Sequence, residues 1–88
     1  MKAYITTATT TQVYTGTSRK VLIQNNAALT GTITVIDGTS GTTANVAIIT
    51  NPAVGDQFEY WSFGTGVRIV TSATCNITVS ADTSYGAA

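Results

Sequence analysis

Carboxylates, thiols and imidazoles are scarce in this chain, which has four carboxylates (Asp37, Asp56, Glu59, Asp82), one thiol (Cys75) and no histidine. Without histidine the commonest general base and the central member of most catalytic triads are gone. Glycoside hydrolysis needs two carboxyl groups facing each other about 5 to 10 Å apart. Asp56 and Glu59 are three residues apart, a spacing that sends them to opposite faces of a regular strand. A pair drawn from separate strands would still need a pocket, which 88 residues hardly provide. The expectation is a protein that is not an enzyme and has no catalytic residue.

Cofactor and metal chemistry fare no better. Asp37-Gly38-Thr39-Ser40 offers one carboxylate where calcium needs several converging oxygens, and it reads as a turn. Gly64-Thr65-Gly66 lacks the spacing and the following helix of a phosphate loop. A single cysteine makes neither an internal disulfide nor a thiolate metal site, so Cys75 is expected to be a small buried hydrophobe. Asn76-Ile77-Thr78 matches a glycosylation sequon by chance, and Thr30, Thr32 and Thr34 lack the stacked repeats of an ice-binding surface. Lys2, Arg19, Lys20 and Arg68 form no stripe, so no nucleic-acid footprint is expected. No run of 18 apolar residues occurs and Met1–Thr7 lacks the apolar core of a signal peptide, so neither membrane insertion nor secretion is expected. No cofactor and no metal are anticipated.

Binding remains. Tyr60, Trp61 and Phe63 lie close in sequence and could stack on a sugar, since aromatic faces meet the apolar faces of sugar rings. A carbohydrate-binding or adhesion module is therefore one reading. The other is that one parity of this cluster is core and the other a subunit contact, because Trp and Tyr also dominate protein interfaces.

Strands must position these groups. Threonine fills about one position in five and joins Val, Ile, Tyr and Phe, whose branched or aromatic side chains fit a pleated backbone. Gly, Asn, Asp and Ser punctuate the apolar runs every 8 to 12 residues or so, the spacing of a sandwich or barrel. Strands are predicted at Lys20–Asn25, Thr32–Ile36, Asn45–Thr50, Gln57–Phe63, Val67–Ser72 and Asn76–Ala81, with weaker ones at Ala3–Thr7 and Thr11–Tyr14. The fold class is all-β: a single antiparallel β-sandwich of seven or eight short strands spanning 1–88, with 1–18 an N-terminal strand or arm and 82–88 a candidate C-terminal arm.

Alternation along the strands turns Val21 and Ile23, Ile33 and Val35, Val46 and Ile48, Phe58 and Tyr60, Val67 and Ile69, and Ile77 and Val79 toward one side, the predicted inner core. The opposite parity carries Leu22, Ile36, Ile49, Trp61 and Val70, about one apolar residue per strand. Charged residues make up only 9% of the chain, against roughly 25% in ordinary soluble domains, and the net charge is zero. Nothing long-range then keeps copies apart, and a homo-oligomer or other assembly is expected. Leu22, Ile36, Ile49, Trp61 and Val70 are the predicted interface.

Three segments carry a resemblance: Leu29-Thr30-Gly31-Thr32-Ile33-Thr34-Val35-Ile36-Asp37-Gly38-Thr39-Ser40, then Phe58 to Ser72 with its Phe63-Gly64-Thr65-Gly66-Val67 hairpin, then Asn76-Ile77-Thr78-Val79. Their order resembles small structural proteins of tailed-bacteriophage virions, over about Arg19 to Ala81. That resemblance implies a jelly-roll sandwich serving as a capsid decoration (cement) protein, head fibre or tail component. It implies a place in the virion, on the capsid exterior for a decoration protein. The implied partners are the major capsid protein or other virion subunits, and no catalytic residue is carried over. The chain departs from the pattern in Asp82-Thr83-Ser84-Tyr85-Gly86-Ala87-Ala88.

Overall fold

The computed structural model describes residues 2–41 and 45–82. Eight strands follow in chain order: β1 (Lys2–Ile5), β2 (Thr10–Thr15), β3 (Ser18–Asn25), β4 (Thr32–Asp37), β5 (Asn45–Thr50), β6 (Gln57–Phe63), β7 (Gly66–Thr71) and β8 (Ile77–Asp82). All of the predicted strands form, β5 and β6 with the predicted bounds. The 82–88 arm falls almost wholly outside the described residues. The 1–18 segment supplies β1 and β2, both built into the sheets rather than projecting as an arm.

β1 pairs with β8, β2 with β7, β3 with β6 and β4 with β5, all antiparallel. Each strand thus meets its mirror in chain order, as in one long hairpin centred on the β4–β5 connection. Rolling that hairpin brings β8 against β3 and β7 against β4. Two four-stranded sheets result, β1-β8-β3-β6 (the first sheet) and β2-β7-β4-β5 (the second). This is the jelly-roll form of the β-sandwich.

Between the sheets lie Val21, Ile23, Ile33, Val35, Val67, Ile69, Ile77 and Val79, all fully buried, with Phe58 and Tyr60 packed half-buried against them. Five of the six predicted inner pairs therefore face inward. The sixth does not: Val46 is 44% and Ile48 59% exposed, while Ile49, predicted outside, is 8% exposed and part of the core. The cause is register. Asn51, in a left-handed conformation (φ 48°), donates its N–H to the Gly31 carbonyl at 2.8 Å, and its Oδ1 accepts the Gly31 N–H at 2.9 Å. That clasp sets Thr32 opposite Thr50 and so Ile33 opposite Ile49. Facing residues in an antiparallel pair share a sheet face, so Ile49 follows Ile33 into the core and Ile48 follows Thr34 out.

A second departure is Phe63, which shares the parity of Trp61 yet is 1% exposed and among the largest fully buried side chains. Ser62 has φ 65°, and this one left-handed residue breaks the alternation and swings Phe63 inward. Core volume outweighs the local strain, since a buried Phe contributes about 2–3 kcal/mol by area and an αL residue costs roughly 1 kcal/mol or more. The ends are tied by side-chain amides, buried at Asn25 and half-buried at Gln12. Asn25 Nδ2 donates to the Pro52 and Ala53 carbonyls, and Gln12 Nε2 to those of Tyr14, Gly38 and Val67. Gly66 sits so close to this knot that a Cβ there would lie 2.8 Å from the Gly38 carbonyl oxygen and 3.0 Å from Gln12 Nε2.

The register makes adjacent residues respond oppositely. Ile49→Ala is expected to cost about 2–4 kcal/mol in urea denaturation and Ile48→Ala within about 0.5 kcal/mol of zero. The reverse ranking would place Ile48 in the core.

Candidate binding surfaces

The five residues predicted to make one outer face do not share one. Leu22 and Trp61 lie on the first sheet, whereas Ile36, Ile49 and Val70 lie on the second, across the sandwich. Trp61 is 57% exposed, Leu22 and Val70 are half-buried, and Ile36 and Ile49 are buried. Ile36 does have outward parity, pairing with Arg68. It is nonetheless fully buried within the chain, and its cross-strand neighbour Arg68 directs Nη1 to Gln12 Oε1 (3.0 Å) and the Thr39 carbonyl (3.4 Å). Neither Ile36 nor Ile49 is available to a partner.

The first sheet's outer face carries most of the molecule's charge. Lys20 lies opposite both Trp61 and Asp82, and Leu22 opposite Glu59 and Ser80. Lys20 Nζ is 3.3 Å from Glu59 Oε1 and 5.3 Å from the Trp61 ring centroid, an ion pair and a cation–π contact sharing one ammonium. Arg19 Nη2 meets Asp82 Oδ2 at 2.7 Å at the rim. Lys2, Lys20, Leu22, Ser80, Ala81 and Asp82 line an open groove of about 270 Å³, just under the roughly 300 Å³ at which ligand pockets begin. The aromatic platform considered for sugars does not assemble here. Trp61 points outward, Phe63 is in the core and Tyr60 packs half-buried against it, where burial pushes its hydroxyl pKa up.

The second sheet's outer face is of the opposite kind. Ile48, Thr34, Val70 and Thr10 form one row across its four strands, and Thr50 and Thr32 a second row with Ser72 just beyond β7. Val46 stands beside them, exposed at the edge. Arg68 is the one charged side chain on this face among the described residues, and it is turned down onto Gln12 and Thr39. Its Nε is buried without a hydrogen-bond partner.

The carboxylates are engaged in holding turns and strands. Asp56 Oδ2 accepts the Ala53 N–H, Glu59 and Asp82 are in the ion pairs above, and Asp37 clamps the β6–β7 turn. Asp37 Oδ1 accepts from the Thr65 (2.8 Å) and Gly66 (3.2 Å) amides, and Oδ2 from Gly64 (2.9 Å). Desolvation pushes this carboxyl up, but the three backbone donors together outweigh it and hold the pKa below the ordinary 3.8. Cys75 is buried as predicted, its Sγ directed at the Ile5 carbonyl. Burial pushes the thiol up against a smaller lowering by a Thr71 hydrogen bond, so little thiolate forms. Among the described residues no three His, Cys, Asp or Glu side chains converge as metal ligands.

Among the described residues, sequence reasoning missed four large exposed hydrophobic side chains: Val46 and Ile48 on the second sheet, Tyr4 on β1 of the first, and Val54 in the loop before β6. In Asn45-Val46-Ala47-Ile48-Ile49-Thr50 both parities are apolar, and nothing local chooses between them. Comparisons with protein-family models, with curated proteins and with solved structures found no match.

The Asp37 clamp generates a pH prediction. A carboxyl depressed by folding contributes stability that is full above the unfolded value and is lost as pH falls through the folded one. Chemical denaturation should therefore show stability dropping from roughly pH 4 downward, and Asp37→Asn should flatten that limb while lowering stability near neutrality. An unchanged acid limb in Asp37→Asn would show that the clamp is not felt in the fold.

Proposed function

We propose that this protein is a non-catalytic structural subunit of a particle, a capsid decoration protein of a tailed-bacteriophage virion, seated through the outer face of its second sheet. The observation that carries the assembly role is the segregation of charge. One face of the sandwich holds ion pairs and a lysine over a tryptophan, while the other offers threonines, Val46, Ile48 and Val70 with Arg68 folded away. Desolvating the second face requires stripping few charges, so contact there costs little and gains about 25 cal/mol per Å² of apolar area. The first face keeps its ions in water.

The virion assignment is supported by the resemblance of the segments from Leu29 to Val79 to virion structural proteins. The jelly roll is compatible with it and does not select it, since the same architecture serves capsids, lectins and enzymes alike. On a symmetric shell each copy need contribute only a small patch, because identical sites recur and occupancy is multiplied by lattice avidity.

The test is mass spectrometry and immunogold labelling of purified tailed-phage particles produced by a host carrying this gene. The protein should be on the particles. Val70→Lys, a charge in the middle of the second face, should reduce particle-bound protein at least about tenfold, and Leu22→Lys on the first face should leave it unchanged. Absence from the particles overturns the virion assignment, and loss in Leu22→Lys but not in Val70→Lys overturns the choice of face.

A further inference from the structure

We infer that β5 is a self-complementary edge, through which two copies join antiparallel so that their second sheets merge into one eight-stranded sheet. A jelly roll has four edge strands, here β1 and β6 in the first sheet and β2 and β5 in the second. An exposed edge displays unpaired backbone N–H and C=O groups, and free proteins blunt it with shortness, charge, proline or a bulge. Three of the four are blunted. β1 has only four residues and carries Lys2. β6 carries Glu59 and is twisted at Ser62. β2 is broken by a bulge between Gln12 and Tyr14.

β5 is six residues long, Asn45-Val46-Ala47-Ile48-Ile49-Thr50, with no charge and no proline. It too has a bulge, but at Val46 next to its first residue rather than in mid-strand as in β2, and this leaves Thr50 through Ala47 in register with β4. Two of its large apolar side chains, Val46 and Ile48, are exposed.

Charge identifies the occupant as a second copy. About a two-fold axis every residue near the centre meets its own kind, so a charged edge repels itself. β1 and β6 would bring Lys2 toward Lys2 and Glu59 toward Glu59, whereas β5 brings nothing charged. Parity then fixes the register, because facing residues must point to the same side of the merged sheet. Centring the axis on Ala47 puts the small Ala47 side chains together on the inner side. On the outer side it sets Val46 of each copy opposite Ile48 of the other, two apolar cross-strand pairs. The charge-poor outer face of the second sheet is thereby doubled.

A strand pair of five residues from each copy buries less than the roughly 1,200 Å² of stable interfaces, so the association is weak, with a dissociation constant on the order of 0.1 mM. This pairing does not rest on the virion assignment, and the protein in solution tests it. Sedimentation equilibrium from about 10 µM to 2 mM should show a monomer–dimer equilibrium that persists in 1 M NaCl, as contact without charge requires. Ile48→Lys and Val46→Glu should each weaken it at least about tenfold. Circular dichroism should show both variants folded, because both side chains are exposed. Mixing the two should restore dimer, since Lys at 48 then faces Glu at 46 across the axis, and that heterodimer should be salt-sensitive. A monomer at 2 mM overturns the inference. So does a dimer indifferent to Ile48→Lys, or a mixture of the two variants that stays monomeric.

Discussion

The reciprocal hydrogen bonds between Gly31 and Asn51 fix the register of β4 on β5, and most of what distinguishes this surface depends on that register. A slip of one residue would bury Val46 and Ile48 and expose Ala47 and Ile49. The second sheet would then present an alanine and one isoleucine in place of a valine and another isoleucine. Both arrangements bury apolar surface, so burial alone discriminates weakly. The clasp discriminates because it uses the carbonyl and amide of Gly31 together with the side chain and left-handed backbone of Asn51, a set available in only one register. Such specificity matters in a rolled hairpin, where an error at the β4–β5 centre would be passed to β7 through β4 and on to β2.

Around that centre the polar groups act as ties. Gln12, Asn25 and Asp37 together engage eight backbone groups, and each joins segments far apart in sequence. This suits a small chain with no disulfide and a thin core, because every loop that closes on a buried amide or carboxylate leaves fewer backbone groups unsatisfied. The charges left over gather on the first sheet. The second sheet's face is left to hydroxyls and aliphatic side chains, a composition that water tolerates and a protein partner can cover at little cost.

Strand positions were legible because β-branched runs and turn residues alternate clearly, and the inner parity was legible on five strands. On β5 it was not, since Val46-Ala47-Ile48-Ile49 is apolar on both parities and the deciding contact comes from Gly31, fourteen residues before β5 begins. Phe63 could not be placed by counting, because one left-handed serine undoes the count. Grouping Leu22 and Trp61 with Ile36, Ile49 and Val70 failed for a different reason. Parity says which residues lie outward, but only topology says on which of two opposite faces. Burial of Ile36 despite its outward parity is a tertiary outcome without a local signature. In the structure each carboxylate is bonded to backbone or to a cation.

Copies of the protein should meet on the charge-poor side of the molecule and not on the side of Trp61. Methyl and indole NMR signals in the presence of a soluble paramagnetic agent, followed from dilute to concentrated protein, report where they meet. The Val46 and Ile48 methyls should become shielded as concentration rises, while the Val70 and Leu22 methyls and the Trp61 indole keep their full attenuation. Shielding of Leu22 and Trp61 with Ile48 still attenuated would contradict that placement.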